Sequence, residues 1–419
     1  MAIGDDVLTI DALGVLDEFD YQLSFREAAE RIRIVYAPNG RGKTNFIKAV
    51  NFLLTPSIES LQALIEIPIR NLHITFKSGG AIWLQRASAF DGGFTIGASR
   101  TADAEDISLE VDPSDFAGRL YRRVWSDRQD FGRFVELTTS MTNGAVLIGD
   151  DRLAPIGGEE LREGTRIDAR RRNAGSVSRL LERVERMLSQ SAFAGLARER
   201  ANIGVYAQIT RTTLAGTQTL TSGAARNALE TQIATLLRAG SAHERYGLLS
   251  TRQLHEIQAQ LDAARQNHRQ LPTLHRILKP FLDSVQAQID SLAPALQLID
   301  TFVSGVNRFL DRKELVFSAA TGISLVGRDG ATLQPDALSS GERHLLYLMS
   351  HAILATADRP LVIIDEPELS LGIEWQRNLI DELLQCTEAA SVQFLIASHS
   401  LQVMNAVPRE EIIQPGESE

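Results

Sequence analysis

The sequence predicts an α/β protein whose mixed or parallel sheet is interrupted by a mainly helical insertion. Three observations carry this. Short alternating or continuous apolar runs occupy the chain from Val7 to about residue 150 and return after residue 313. A glycine-rich turn at 36–45 joins a buried strand to a helix, and an apolar seven-residue repeat runs through 278–310.

Taken in order, "VLTIDALGVLD", "FDYQLSF" and "IRIVYA" read as strands, and "NFIKAVNFLL" after the glycine-rich turn reads as a helix. "NLHITFKSGGAIWLQRA" is a hairpin on a Ser-Gly-Gly turn, followed by the strands "FTIGA" and "GAVLIGD". From "RLAPIGGEE" onward the character is helical, and the glycines at 195, 204, 216, 223, 240 and 247 are expected to break the stretch.

Next, Leu278, Leu282, Val285, Ile289, Leu292, Leu296, Ile299, Val303, Val306 and Leu310 follow alternating steps of four and three, a heptad seam. Pro280 and Pro294 are expected to face outward from it, where a kink is tolerated. A second arm is expected to carry Leu254, Ile257, Leu261 and Ala264, either in a helical hairpin that projects as a coiled coil or in a packed helical subdomain. Strands return in "ELVFSAATGISLVGRDGATLQ", then helix, the strand "PLVIID", helix, and "VQFLIASHS". The expected organisation is an N-terminal lobe 1–158, a helical insertion 159–312 and a C-terminal lobe 313–419.

Composition narrows the class. With 44% apolar residues over 419 positions the chain can bury a large core, and no apolar run of ~18 residues offers a membrane span. "MAIGDDVLTIDALG" lacks the basic-then-apolar order of a signal peptide, so a cytoplasmic location is expected. The single cysteine, Cys386, excludes an intrachain disulfide and a thiolate zinc site. A net charge of −10 gives the chain as a whole no pull toward nucleic acid. Arginines nevertheless cluster in 119–133 and 166–179, either as solvated faces interleaved with acids or as a local basic path.

"YAPNGRGKTN" carries the first chemistry. A triphosphate needs converging backbone N–H groups, a cation and a hydroxyl for Mg²⁺. Asn39, Gly40 and Gly42 supply the turn, Lys43 the cation and Thr44 the metal-binding hydroxyl. The helix expected to open at about Asn45 turns its positive end to the anion. Ala37 stands where the first glycine of GxxxxGK[ST] is usual. The strand "LVIIDEPE" ends in two carboxylates: Asp365 is expected to hold Mg²⁺ through its water shell, and Glu366 to take the proton of an attacking water. In "LSSGERHLLYL", Ser339, Ser340 and Gly341 precede a helix whose first turn carries Glu342, a second anion site with free N–H groups. "FLIASHS" delivers His399 at a strand end.

In this order the phosphate loop, the LSSGE run, the DEPE strand and the ASHS strand resemble the ABC-type ATPase heads of the SMC and RecF families. "LSSGERHLLYLMSHAIL" with "VIIDEPELSLGIEWQRNLI" resembles the bacterial AAA-labelled ATPases of the overcoming-lysogenisation-defect type and the ATPase subunits of phage-defence systems such as Septu and PARIS. The resemblance implies ATP and Mg²⁺ as ligands, with Lys43, Thr44, Asp365 and Glu366 in the roles just given. It implies that Ser339, Ser340 and Gly341 contact the nucleotide of an opposite subunit and that His399 senses the γ-phosphate, so a homodimer or higher homo-oligomer is expected. Gly372-Ile373 replaces the His-Pro often found after "ELSL". Gln85, and less well Gln129, could be the glutamine linking metal to partner.

The nearly three hundred residues between phosphate loop and signature make a transporter subunit a poor fit, the absence of CxxC removes a zinc-hook tether, and with about twenty residues after His399 no appended nuclease is expected. The expected function is an ATP-hydrolysing regulator or sensor of a separate effector such as a nuclease, in phage defence or DNA processing. The alternative is a RecF-like ATP-dependent DNA-binding clamp in repair.

Overall fold

The computed structural model describes residues 5–25, 30–101, 106–118, 120–149, 169–200, 221–263 and 271–417, with side chains left out of the description at 169–176 and 196–200. Two compact units emerge, Met1–Val177 with Leu338–Glu419, and Ser178–Ala337.

The first unit begins with β1 (Val7–Val15), β2 (Phe19–Ser24) and β3 (Ile32–Tyr36), followed by α1 (Lys43–Leu54) and α2 (Ile58–Glu66). β4 (Ile69–Phe76), β5 (Ala81–Gln85), β6 (Phe94–Ser99) and β7 (Ile107–Val111) form a meander. α3 (Tyr121–Asp127), α4 (Gln129–Met141) and β8 (Ala145–Ile148) follow. The arginine-rich stretch 119–133 is therefore mostly helix, its inner face fixed by Trp125, Phe131 and Phe134, all buried.

The second unit holds α5 (Ala169–Arg200) from Ser178 onward, α6 (Ser222–Arg245), α7 (Arg252–Ala263) and α8 (Leu271–Asn307), then the antiparallel sheet β9 (Lys313–Ser318), β10 (Gly322–Gly327), β11 (Thr332–Leu333). Of the expected seam, Leu282, Ile289, Leu292, Ile299, Val303 and Val306 are buried, Leu278, Val285 and Leu296 are half-buried, and Leu310 lies beyond the end of α8. Its partner arm is chiefly α6, whose Ala225, Leu229, Ile233 and Leu236 share a core with Leu254 and Leu261 of α7 and Leu282 and Ile289 of α8. Ala264 lies outside the described residues.

Three expectations are corrected here. Gly195, Gly223 and Gly240 lie inside helices instead of breaking them. At two of these the missing side chain allows close packing, since a Cβ at Gly195 would lie 3.0 Å from the Ser291 carbonyl oxygen and one at Gly240 2.9 Å from Thr251. Gly247 does end a helix, at φ +67°; Gly204 and Gly216 are outside the described residues. Pro294 is exposed as expected, but Pro280 is buried, so α8 is covered there on the side away from the seam as well. Finally, 313–337 packs with the helical unit and not with the C-terminal lobe: Glu185 of α5 accepts from the Ile323 N–H, and Asn307 of α8 bonds both N–H and C=O of Leu315. The expected boundary at 158/159 lies outside the described residues.

The chain then returns to the first unit as α9 (Ser340–Asp358), β12 (Leu361–Asp365), α10 (Ile373–Cys386), β13 (Phe394–Ser398), α11 (Leu401–Met404), β14 (Ile412–Ile413) and β15 (Gly416–Glu417). Two sheets result: an antiparallel one ordered β15-β2-β1-β4-β5-β6-β7, and a parallel one ordered β14-β3-β13-β12-β8. β12 and β13 are buried at every position, as parallel strands covered on both faces must be. One core joins the inner faces of both sheets around α1, which contributes Phe46, Ile47, Val50, Leu53 and Leu54. Among the described residues no helix is long and apolar enough to cross a membrane.

Leu282 is fully buried and Pro294 is exposed within the same helix. Leu282→Ala is expected to destabilise the helical unit by about 3 kcal/mol, whereas Pro294→Ala is expected to stabilise it by about 1–3 kcal/mol; urea unfolding followed by circular dichroism measures both.

Candidate functional site

The phosphate loop is held from below. The Tyr21 hydroxyl of β2 donates to the Arg41 carbonyl, and the Tyr21 ring stacks on Phe46 of α1 at 4.7 Å. Gly42 sits at φ +77°, and a Cβ there would come within 2.5 Å of Val15, so both conformation and packing require glycine. Gly40 is also left-handed, at φ +86°. Ala37 is buried and has no positive φ, which is why alanine serves at that position. α1 opens at Lys43, two residues earlier than expected, so Lys43, Thr44 and Asn45 make its first turn. Their N–H groups are among those a helix start leaves without intrahelical partners.

Lys43 is buried and its ammonium donates to the carbonyls of Ala37 and Pro38. Burial pulls its pKa down, opposed by the carboxylates of Glu366, Asp365 and Glu368. The Thr44 hydroxyl donates to Asp365 Oδ2 at 2.9 Å, which joins the phosphate loop to the end of β12. Asp365 Oδ1 is buried with no hydrogen-bond partner. Burial holds the Asp365 carboxyl above the usual carboxylate range, against the Thr44 hydrogen bond and with help from neighbouring Glu366.

Glu366 takes a left-handed backbone at φ +50°, unusual for a residue with a side chain, while its N–H still bonds the Ala397 carbonyl of β13 at 2.8 Å. The kink ends the strand. His399 stands opposite, its Nδ1 3.5 Å from Glu366 Oε1 and 3.2 Å from Glu368 Oε1. His399 is 45% exposed, Glu366 29% and Glu368 5%.

Thus the structure brings Lys43, Thr44, Asp365, Glu366 and His399 together. Asn39 and Gly40 lie exposed on the loop, and Asn45 is half-buried beside Thr44. The LSSGE run starts α9 with a capping box: Ser339 Oγ accepts from the Glu342 N–H, and Glu342 Oε2 accepts from the Ser339 N–H at 2.6 Å. Two of the N–H groups expected to be free for an anion are therefore taken by the cap, and the Glu342 carboxylate is engaged in it. Ser340 is exposed; Gly341 is buried, and a Cβ on it would lie 2.7 Å from the Ser370 carbonyl oxygen. Gln85 is exposed at the end of β5. Gln129 opens α4 and lines a groove of about 690 Å³ with Arg100, Asp130 and Arg133.

Three residues at this site escape the sequence reading. Glu368 Oε1 accepts from Ser398 Oγ, the His399 N–H and the Ser400 N–H, holding the ASHS turn. Gln376 bonds both that turn and the loop after β12. His344 Nε2 meets the Pro367 carbonyl at 3.1 Å. The second glutamate of DEPE, a charge in an otherwise buried stretch, is the one signal in the sequence that could have marked Glu368.

The orphaned Oδ1 of Asp365, beside a threonine hydroxyl, fits a hard cation that takes oxygen ligands. Asp365→Asn keeps an acceptor for Thr44 and removes a buried charge. It is expected to raise the stability of the nucleotide-free protein at pH 7 by about 1 kcal/mol. For the wild type, a carboxyl whose folded pKa is raised stabilises fully at low pH, and that contribution is lost as pH rises through the folded value. The gain from Asp365→Asn should accordingly shrink toward pH 4, as read from denaturant midpoints.

Residues 218–405 match the family described as "AAA domain, putative AbiEii toxin, Type IV TA system". The match is less than half of the chain; it takes in the LSSGE, DEPE and ASHS motifs but not the phosphate loop. No curated protein matches the sequence. Among solved structures, the chain is similar to the Smc head domain with an extended coiled coil, bound to the C-terminal domain of ScpA, from Pyrococcus furiosus, at 11% identity, 98% of this chain, 96% of that chain and a TM-score of 0.41. It is similar to the SMC head domain from Thermotoga maritima at 12% identity, 99% of each chain and a TM-score of 0.37. Phosphate loop, LSSGE, DEPE and ASHS stand in that order on this two-sheet α/β fold, the last three inside the family match, an arrangement that resembles the ABC-type ATPases of the SMC/RecF-like superfamily.

Proposed function

We propose that this protein binds and hydrolyses Mg²⁺·ATP at the site between the phosphate loop and β12, and that nucleotide governs its self-association and a separate effector. The observation that carries the reading is the 2.9 Å bond from Thr44 to Asp365, which sets the metal-binding hydroxyl against the strand-end carboxylate. When bound, Mg²⁺ would neutralise the charge that develops on the phosphate oxygens.

Each residue has a role its surroundings support. Lys43 and the first-turn amides of α1 hold the phosphates, together with Asn39, Gly40 and Gly42. Thr44 and Asp365 hold the cation. Glu366, partly exposed and turned out of the strand by its left-handed backbone, takes the proton of the attacking water. His399, within 3.5 Å of that carboxylate, reports the γ-phosphate. Ser339, Ser340 and Gly341 act on the nucleotide of a second copy, which makes the working unit a homodimer or larger homo-oligomer.

The effector reading rests on the matching family, whose description names a toxin and a toxin–antitoxin system. A defence role, with a nuclease or similar effector as a separate protein, comes from the resemblance of the LSSGE and DEPE runs to phage-defence ATPase subunits. The DNA-clamp reading draws no comparable support. In the first arginine cluster Arg122 pairs with Glu59, Arg123 with Asp127 and Arg128 with Asp130; in the second, the side chains of Arg170, Arg171 and Arg172 are outside the described residues.

Turnover and mass in solution test this. The wild type is expected to hydrolyse ATP. Glu366→Gln should lose about 100-fold or more in turnover and accumulate as an ATP-bound dimer or larger assembly by light scattering. If neither protein binds ATP nor changes mass with it, the reading fails.

A further inference from the structure

Gln376, on the first turn of α10, bridges the two loops that follow the paired strands β12 and β13. Its Nε2 donates to the Leu371 carbonyl at 2.9 Å and to the Glu368 carbonyl at 3.4 Å, both in the loop after β12. Its Oε1 accepts from the Ser400 hydroxyl at 2.8 Å, in the turn that presents His399. A side-chain amide fits here because its tip offers a donor and an acceptor together; a glutamate or a lysine could satisfy only one side.

A second tie runs parallel to the first. Glu368 gathers Ser398, His399 and Ser400 on one carboxylate oxygen. The loop between these ties then meets α9. The Ser370 carbonyl oxygen lies where Gly341 has no room for a side chain, and the Pro367 carbonyl meets His344. His399, Glu368 with Gln376, the loop 367–371 and the start of α9 are thus one contiguous set of hydrogen bonds and close contacts.

We propose that Gln376 is a positioning residue that couples the His399 turn to the loop after β12. The nucleotide state read by His399 is thereby passed to the LSSGE start of α9, the face that would meet a second copy's nucleotide. This deepens the ATPase reading and rests on it. Gln376 bonds Glu368, Leu371 and Ser400 and none of the residues assigned to the phosphates or the cation, so its loss should leave ATP binding intact.

Hydrogen exchange of the full-length chain, with and without Mg²⁺·ATP, tests the coupling without requiring turnover. In the wild type, ATP should slow exchange by at least about fivefold in both 398–400 and 340–345. In Gln376→Met, which keeps length but neither bond, the slowing at 398–400 should persist and that at 340–345 should be lost. Gln376→Glu, which keeps the Ser400 bond and loses the Leu371 bond, should behave as the methionine variant does. It also serves if the methionine variant fails to fold.

Where hydrolysis is measured alongside, kcat should fall at least about fivefold, with the Kd for ATP unchanged within about twofold. ATP slowing both segments equally in wild type and variants overturns the coupling and leaves the ATPase reading standing. Weakened ATP binding together with a lowered Tm in both variants shows a merely structural role and also overturns it. An absence of ATP-dependent slowing anywhere in the wild type removes the nucleotide reading, and the coupling falls with it.

Discussion

Asp365 is a carboxylate at the end of a strand whose other four residues are all buried, and the phosphate loop is tied to the strand through it. One oxygen is met by the Thr44 hydroxyl; the other has no partner. A buried anion of this kind is costly without hydrogen bonds or a cation. The ammoniums of Lys48 and Lys43 supply part of the compensation from α1, and Lys43 is itself lowered in pKa by burial. Neither charge is comfortable alone. The phosphate loop and β12 are thus held together by groups that each lack something a metal-bound polyanion would bring.

The polar groups around that pair are organised mostly through main-chain atoms. Glu368 holds a turn through two amides, His344 and Gln376 reach carbonyls, and the Tyr21 hydroxyl reaches the carbonyl of Arg41. In a poorly solvated setting such bonds strengthen and fix the loops they join. Two close approaches complete the frame, Gly42 against Val15 and Gly341 against Ser370. The phosphate loop, the DEPE loop and the ASHS turn are each tied by residues outside them.

Much of this head was legible in the sequence because its signals are local. The strands before the phosphate loop and within DEPE and ASHS are short apolar runs, and the loop itself is a spaced pattern of glycine, lysine and threonine. What stayed hidden is non-local. Nothing near Glu368 in sequence says that its carboxylate meets amides thirty residues on. The strand signature at 313–327 is plain, but which unit it joins depends on Glu185 and Asn307. Pro280 lies opposite the seam by heptad position, yet the heptad says nothing of what covers the other side of α8. The capping box at Ser339 was spelled out as S-S-G-E, and its own internal bonding removes two of the amides that an open helix start would offer.

The parallel sheet has a further consequence, which concerns synthesis. β3, the strand that aims the phosphate loop, has β13 and β14 as its neighbours. Both lie within 394–417, the last stretch of the chain described. A ribosome working at roughly 5–20 residues per second reaches them tens of seconds after β3 has left the tunnel. Until then both edges of that strand lack their native partners, and the antiparallel sheet must hold the N-terminal lobe soluble with α1. Contacts of such sequence separation also slow folding in general. The phosphate loop, first of the motifs to be translated, is therefore among the last to be secured by its native strand neighbours.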